Sequence, residues 1–261
     1  MKTDYLTFNI FYKMKKIQIQ NSIALVSGAN RGIGKAITEE LLNKGVKKVY
    51  AGARKKESLN ELTEKYGERV IALQLDVTDQ KSVNQAAEIA SDANVIINNA
   101  GVLSPGGYRS ETMVESLKNN MEVNVLGVAR LTQATIPNLK KQSGQTSIAT
   151  VASIAGLANM PMENAYSASK AAAHSIIQGL RAELEGENVN VAGIYPGPVD
   201  TDMIKPYEGF DKVSPEVLAK NVVEGIENGD EYIFPDPMAT QFGEAYSNSP
   251  KDAEKMLSEW K

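Results

Sequence analysis

Apolar residues along this chain follow two alternating periods. Short runs rich in Val, Ile, Leu and Ala occur at residues 23–27, 48–52, 70–75, 95–98, 147–151 and 188–194, with a briefer one at 232–234. Runs of that length, apolar on both faces, predict strands of a sheet covered from either side. Between them the period lengthens. Ile33, Ile37 and Leu41 mark one face of a helix, and Asp79 is placed to cap another reaching Ala90. Thr112 and Glu115 have the spacing of a capping box, which predicts one long helix through Asn124 toward Asn138. An Ala-rich stretch from Tyr166 to Glu185 predicts a further helix, and Ser214-Pro215-Glu216 opens one that ends near Gly229. A last helix containing Trp260 is expected in the tail. Strand alternating with helix predicts an α/β chain on a doubly wound parallel sheet with helices on both faces. Residues 19–261 are expected to form a single domain and residues 1–18 an extension. Its first thirteen residues carry no period and are expected to be disordered. Residues 200–213 lose the pattern among Met, Pro, Gly and aromatic positions, as a lid loop would.

Composition narrows the chemistry. At 261 residues, 42% hydrophobic and 23% charged, the chain is long enough to bury a sizeable core. A formal net charge of -4 argues against a general nucleic-acid binder, which would carry a basic excess. The absence of cysteine excludes disulfides, thiolate nucleophiles and Cys-ligated zinc, and a single histidine builds no His cluster. No metal centre is therefore expected, and redox chemistry would have to come from a bound organic cofactor. No apolar run approaches the ~20 residues of a membrane helix, and the first residues lack a secretory pattern. A cytoplasmic protein without membrane contacts is expected.

Two stretches carry chemistry. The first strand runs into Gly28-Ala29-Asn30-Arg31-Gly32-Ile33-Gly34 and then into a helix. Glycines let the backbone approach a pyrophosphate, and the helix amino terminus offers it unpaired N–H groups. At the end of the second strand stands Ala53-Arg54, where an NAD-binding fold usually places an acid for the ribose hydroxyls. Arg54, with Arg31 in the glycine turn, instead suits a 2'-phosphate, so NADP(H) is favoured over NAD. The second stretch contains Ser153, Tyr166 and Lys170. Tyr166 and Lys170 lie one helical turn apart on one face. A free phenol titrates near ~10, and a neighbouring ammonium favours its phenolate, so Lys170 is expected to lower the pKa of Tyr166. Ser153, at the carboxyl end of the fifth strand, adds a hydrogen bond to the oxygen that gains or loses the proton.

From about Ser22 to about Thr201 these features resemble the classical short-chain dehydrogenase/reductase family, with Ser27 where many members have Thr. The resemblance implies a Rossmann-like fold and hydride transfer between the nicotinamide of NADP(H) and a small-molecule carbonyl or alcohol. It implies that Tyr166 is the general acid/base, that Ser153 polarises the substrate oxygen, and that Lys170 tunes the phenol and holds the nicotinamide ribose. Asn124, within Met-Glu-Val-Asn-Val, takes the place of the family's fourth catalytic residue and would order a water leading away from Lys170. Cofactor contacts are implied at Gly28, Asn30, Arg31, Gly32, Ile33, Gly34 and Arg54, and at Asp76 and Val77 near the adenine. Asn99, Ala100 and Gly101, the end of an Asn-Asn-Ala-Gly signature, would wall the cofactor site. Tyr166 and Lys170 would touch the cofactor too, and Pro196, Gly197, Val199 and Thr201 would pass beside the nicotinamide. Association into a homodimer or homotetramer through residues 112–138 and 166–185 is also implied. Leu103, Met160, Met162, Met203 and Ile204 are candidates to line an apolar substrate pocket. His174, one turn beyond Lys170, has no partner in view and is expected to be packed or solvated. The alternative is a non-catalytic NADP-binding regulatory or scaffold protein with the same fold.

Overall fold

The computed structural model describes residues 14–209 and 211–259. Strands and helices alternate in the order β1 (Ile23–Ser27), α1 (Gly32–Asn43), β2 (Lys48–Ala53), α2 (Asn60–Tyr66), β3 (Val70–Gln74), α3 (Gln80–Ile89) and β4 (Val95–Asn98). Next come α4 (Met113–Met121), α5 (Gly127–Leu139), β5 (Thr146–Val151), α6 (Asn164–Glu183), β6 (Val189–Ile194), α7 (Pro215–Asn228), β7 (Tyr232–Ile233), α8 (Pro237–Asn248) and α9 (Pro250–Ser258). The strands pair in parallel in the order β3-β2-β1-β4-β5-β6-β7. The winding reverses between β1 and β4, so the crevice beyond their carboxyl ends is the switch point where such sheets bind ligands.

Alternate residues of each central strand feed opposite faces. Ala24, Val26, Val95, Ile97, Ala149, Val151, Ala192 and Ile194 pack into one core with Leu41 of α1 and Leu218, Val222 and Ile226 of α7. Leu25, Ile96, Ile148, Val189 and Val191 pack into the other with Val83 of α3, Leu131 of α5, Ile177 of α6 and Phe242 of α8. Burial on both sides is why these strands read as continuous apolar runs. Among the described residues no helix is long and apolar enough to cross a membrane.

The structure corrects the sequence reading in three places. Residues 14–18, assigned to the extension, are part of the packed body: Ile17 is 2% exposed and its N–H donates to the Glu227 carbonyl, while Met14 N–H donates to that of Gly229. The apolar side chains of Ile17 and Ile19 gain more from the core than the chain loses in freedom. Residues 1–13, expected to be disordered, lie outside the described residues. Thr112 forms no capping box. Its backbone is already helical (φ -86, ψ -2), whereas a capping residue is extended, and its hydroxyl pairs with that of Ser110 at 2.8 Å. The long helix expected from there is interrupted by a π-helical turn at Glu122–Leu126. The tail forms two helices rather than one. Asp236 and Ser249 each cap a helix that starts at a proline, and Trp260 lies outside the described residues.

Candidate active site

The turn after β1 is shaped by what cannot stand there. Gly28 and Gly32 have φ of +66° and +53°, in the left-handed region that favours glycine. A Cβ on Gly34 would lie 2.2 Å from the Gly28 carbonyl oxygen and 2.3 Å from Asn99 Nδ2. That amide occupies the vacated space and donates to the carbonyls of Ser27 (2.9 Å) and Gly28 (3.1 Å). Ser27 completes the tie, its Oγ accepting from the N–H groups of Asn99 (3.0 Å) and Ala100 (3.1 Å). The ends of β1 and β4 are thus locked together, with Ala29 N–H donating to Gly52 of β2. Helix α1 opens on Arg31 without a side-chain cap and with no acid in its first turn. Uncapped N–H groups behind a glycine cradle, free of negative charge, fit the pyrophosphate of a dinucleotide. Asn30, Arg31, Gly32 and Ile33 lie along this turn.

On the β2 side, Ala53 is buried and Arg54 is exposed, with no hydrogen bond or ion pair among the described residues. Arg31 pairs with Asp202 at 3.4 Å, both side chains being mostly exposed, so the pair adds little stability. Asp76 follows β3 and accepts at one oxygen from the N–H (2.9 Å) and hydroxyl (2.7 Å) of Thr78, which fixes the turn carrying Val77. Val77 is buried against Gly127, where a Cβ would come within 2.7 Å of it.

Ser153, Tyr166 and Lys170 meet beyond the end of β5. Ser153 is extended (φ -177), its Oγ accepting from Ala155 N–H at 3.1 Å and donating to the Pro196 carbonyl at 3.4 Å. The Ser153 hydroxyl lies near enough to the phenol of Tyr166 to favour its phenolate. Lys170 is 5% exposed, and its Nζ donates to the Val151 carbonyl at 2.8 Å while lying 5.6 Å from the Tyr166 ring centroid. The expected lowering of the phenol's pKa is reversed. Burial pushes Tyr166 up to about 12, against the Ser153 hydrogen bond and with the nearby Glu163 charge. Burial likewise lowers Lys170 to about 8, because removing water penalises the ammonium as it does the phenolate.

Asn124 sits in the π-helical turn, 1% exposed. Its Oδ1 accepts from Val102 N–H (2.8 Å) and its Nδ2 donates to the Val102 carbonyl (2.9 Å) and to Ser169 Oγ (3.0 Å). Oδ1 and Lys170 Nζ both face Gly101, where a Cβ would lie 3.2 Å from one and 3.7 Å from the other. Sequence reasoning missed its companion. Asn120, four residues earlier and fully buried, clamps Ser104 in the same way, accepting from its N–H and donating to its carbonyl, both at 2.9 Å. Ser116 Oγ adds a bond to the Pro105 carbonyl at 2.7 Å. The spacing of Ser116, Asn120 and Asn124, a polar stripe on one helical face, was the available signal.

The segment after β6 is held by Asp236, also missed, whose Oδ2 accepts from Gly197 N–H at 2.8 Å while Oδ1 caps α8. Val199 is buried and bridges to Val213, which ties the two ends of the lid, and Thr201 Cγ2 would touch a Cβ on Gly32 at 3.2 Å. Of the apolar pocket candidates, Met162 (59%) and Met203 (39%) are exposed rather than core. Leu103, Met160 and Ile204 are half-buried. His174 has a partner after all: its Nδ1 lies 2.7 Å from the buried Tyr195 hydroxyl, and burial lowers its pKa. Among the described residues no group of three acidic, His or Cys side chains is placed to hold a metal.

A parallel sheet reversing at a glycine cradle, with a Ser-Tyr-Lys cluster beside it, defines a dinucleotide-binding class of α/β proteins. The family model described as short chain dehydrogenase matches residues 22–210. An uncharacterised oxidoreductase of Staphylococcus aureus is 33% identical over 211 residues, covering 78% of this chain and 90% of its own. One from Staphylococcus saprophyticus is 34% identical over 195 residues, covering 72% and 82%. The crystal structure of a short chain dehydrogenase from Burkholderia cenocepacia in complex with NADP superposes with a TM-score of 0.85 at 34% identity, covering 92% of this chain and 99% of that one. The chain belongs to the short-chain dehydrogenase/reductase family of oxidoreductases.

Proposed function

We propose that the protein is an NADPH-dependent carbonyl reductase, or the reverse alcohol dehydrogenase, with Tyr166 as general acid/base. The observation that carries this reading is the juxtaposition of Tyr166, Ser153 and Lys170 beyond the end of β5, with Lys170 beside Gly101 in the segment tied to the glycine turn. The bound cofactor supplies or takes the hydride. Every other part belongs to this chain. The α1 amino terminus and the backbone at Gly28, Gly32 and Gly34 receive the pyrophosphate, and Arg54, beside an acid-free Ala53, receives the 2'-phosphate. That the Burkholderia cenocepacia relative was crystallised with NADP supports the same choice.

Tyr166 keeps its proton at neutral pH, as an ordinary phenol does, and burial holds it still more firmly. It is therefore ready to donate to a carbonyl oxygen, and Ser153 turns its hydroxyl toward the same oxygen. Lys170, near 8, carries its charge at neutral pH and places it beneath the ring. Asn124 fixes the wall formed by Val102 and the helix residue Ser169, whose Oγ donates to the Tyr166 carbonyl at 2.7 Å. The test is a panel of aldehydes and ketones with NADPH and NADH, read by loss of nicotinamide absorbance. Turnover with NADPH and at least tenfold less with NADH is the expected result. Tight NADPH binding without turnover of any carbonyl would turn the reading toward a non-catalytic binding protein.

A further inference from the structure

Arg181 and His174 tie helix α6 to the edge of the sheet. At the far end of the helix Arg181 donates to the carbonyls of Val191 (3.2 Å) and Glu231 (2.9 Å) and pairs with the Glu231 carboxylate at 3.3 Å. Nearer the site, His174 meets Tyr195, the residue after β6, with Nδ1 2.7 Å from the phenol oxygen and the rings set edge to face, 5.5 Å between centroids. Tyr166, Lys170 and His174 follow one another at four-residue intervals, so they share one face of α6. Tyr195 is itself firmly placed. It is 0% exposed, its ring packs against those of Tyr232 and Phe234, its N–H donates to the Ile233 carbonyl at 2.8 Å, and a Cβ on Gly193 would collide with its hydroxyl. The next residue, Pro196, offers the carbonyl that accepts from Ser153 Oγ at 3.4 Å and from Ile154 N–H at 3.2 Å. These contacts close a circuit: from Tyr166 along α6 to His174, across to Tyr195 and Pro196, and back to Ser153 beside the phenol.

We infer that His174 is a positioning residue: by gripping Tyr195 it sets the face of α6 that carries Tyr166 and Lys170 against Ser153. The inference rests on the proposed reading of Tyr166 as the acid, and it adds a residue that acts only through others. The grip depends on protonation. The Tyr195 hydroxyl has no other partner among the described residues, so its hydrogen is satisfied when it is donated to a neutral Nδ1, with the ring proton on Nε2. A charged imidazole carries hydrogen on both nitrogens. Nδ1 would then be a donor, and the phenol's own hydrogen would be left in a buried place without an acceptor. The surroundings oppose that charge: burial lowers the pKa of His174, and the Arg181 cation lowers it further. The other titratable groups beside the ring are the phenols of Tyr195 and of Tyr232 in β7, and Tyr246 of α8 lies near enough to Tyr195 to raise its pKa. The tie is therefore intact at neutral pH and reverses only below the ordinary imidazole value of about 6.5.

The test uses the carbonyl compound that the parent reduces fastest with NADPH. Tyr195→Phe and His174→Phe each remove the grip. Each is expected to lower kcat about ten- to hundredfold, the scale of a displaced reacting group, while the KM of the carbonyl compound changes by less than about twofold. The double variant should be no slower than either single one, since all three lose the same tie. His174→Asn keeps an acceptor near the place of Nδ1 but takes up no proton. It should retain most of the parent kcat at neutral pH and lose the acid limb, below about pH 6.5, that the parent shows. A merely structural histidine would change Tm and leave both kcat per folded molecule and the acid limb alone. Hydrogen exchange followed by mass spectrometry needs no turnover. In Tyr195→Phe the amides of residues 164–174 should exchange faster than in the parent while those of β1 to β4 do not. That result supports the inference even if no carbonyl compound is reduced, in which case the proposed function falls alone. Unchanged exchange in α6, a kcat of Tyr195→Phe within about twofold of the parent, or an acid limb that persists in His174→Asn overturns the inference, and turnover with NADPH then leaves the proposed function standing. Should His174→Phe not fold, Tyr195→Phe and His174→Asn decide it.

Discussion

At Tyr166, burial and the nearby Glu163 charge outweigh the influence of the Ser153 hydroxyl and push the phenol up to about 12. Tyr166→Phe keeps the ring and loses the hydroxyl. Its NADPH affinity is expected to stay within about twofold while reduction falls by about 10² to 10⁴, the usual worth of a positioned acid. Titration calorimetry and single-turnover rates separate the two. Lys170 has a pKa lowered by burial to about 8, so its charge is present below that pH and lost above it. Because the phenol stays protonated through this range, the alkaline limb of kcat/KM for reduction is expected near 8, and Lys170→Arg should move it upward by a unit or more. A limb that stays in place would assign it to another group. The sequence shows these residues through their one-turn spacing, yet it misleads about the phenol. Spacing reveals the cation but not the water that folding removes from both groups.

Helix α4 and the π-helical turn after it serve as a polar ratchet against the loop that follows β4. Asn120→Ala takes from the Ser104 N–H and carbonyl their side-chain partner and leaves a half-buried donor and acceptor to water, at about 1 kcal/mol each. Thermal unfolding should detect the loss, and KM should rise more than kcat falls, since the wall moves while the Ser-Tyr-Lys cluster stays. Elements with strong local signals were legible: the strands through their two-sided apolar runs, and α7 through Ser214, Pro215 and the left-handed Gly229. The π-helical turn was not, because its register is set by Asn124 gripping Val102 across the chain. Nor was the Glu163–Tyr207 contact, which joins residues far apart in sequence with no period to announce it. Helices α8 and α9 had readable starts, since Asp236-Pro237 and Ser249-Pro250 repeat the cap-then-proline pattern of α7.

Over the whole molecule, residues 14–19 pin the end of α7 to β6, where Asn190 Nδ2 donates to the Lys15 carbonyl at 2.6 Å. Ile17→Ala is expected to destabilise the fold by about 2–5 kcal/mol, the range for emptying a buried aliphatic site. Denaturant unfolding would measure it. Val114 and Leu126, on α4 and the turn after it, are 65% and 44% exposed. We expect this face to meet a second copy, giving a dimer or tetramer by light scattering at micromolar concentration. A monomer throughout that range would contradict it.

The chain has one histidine, and it is fastened to Tyr195 one helical turn beyond Lys170. Its imidazole would give an isolated pair of nitrogen resonances in a magnetic-resonance spectrum, with no overlap to resolve and no engineered label. Because α6 carries both His174 and Lys170, a ligand that pulls on the lysine alters the field at that ring. Titrating cofactor, then substrate, while following those two lines would report each occupancy from inside the protein.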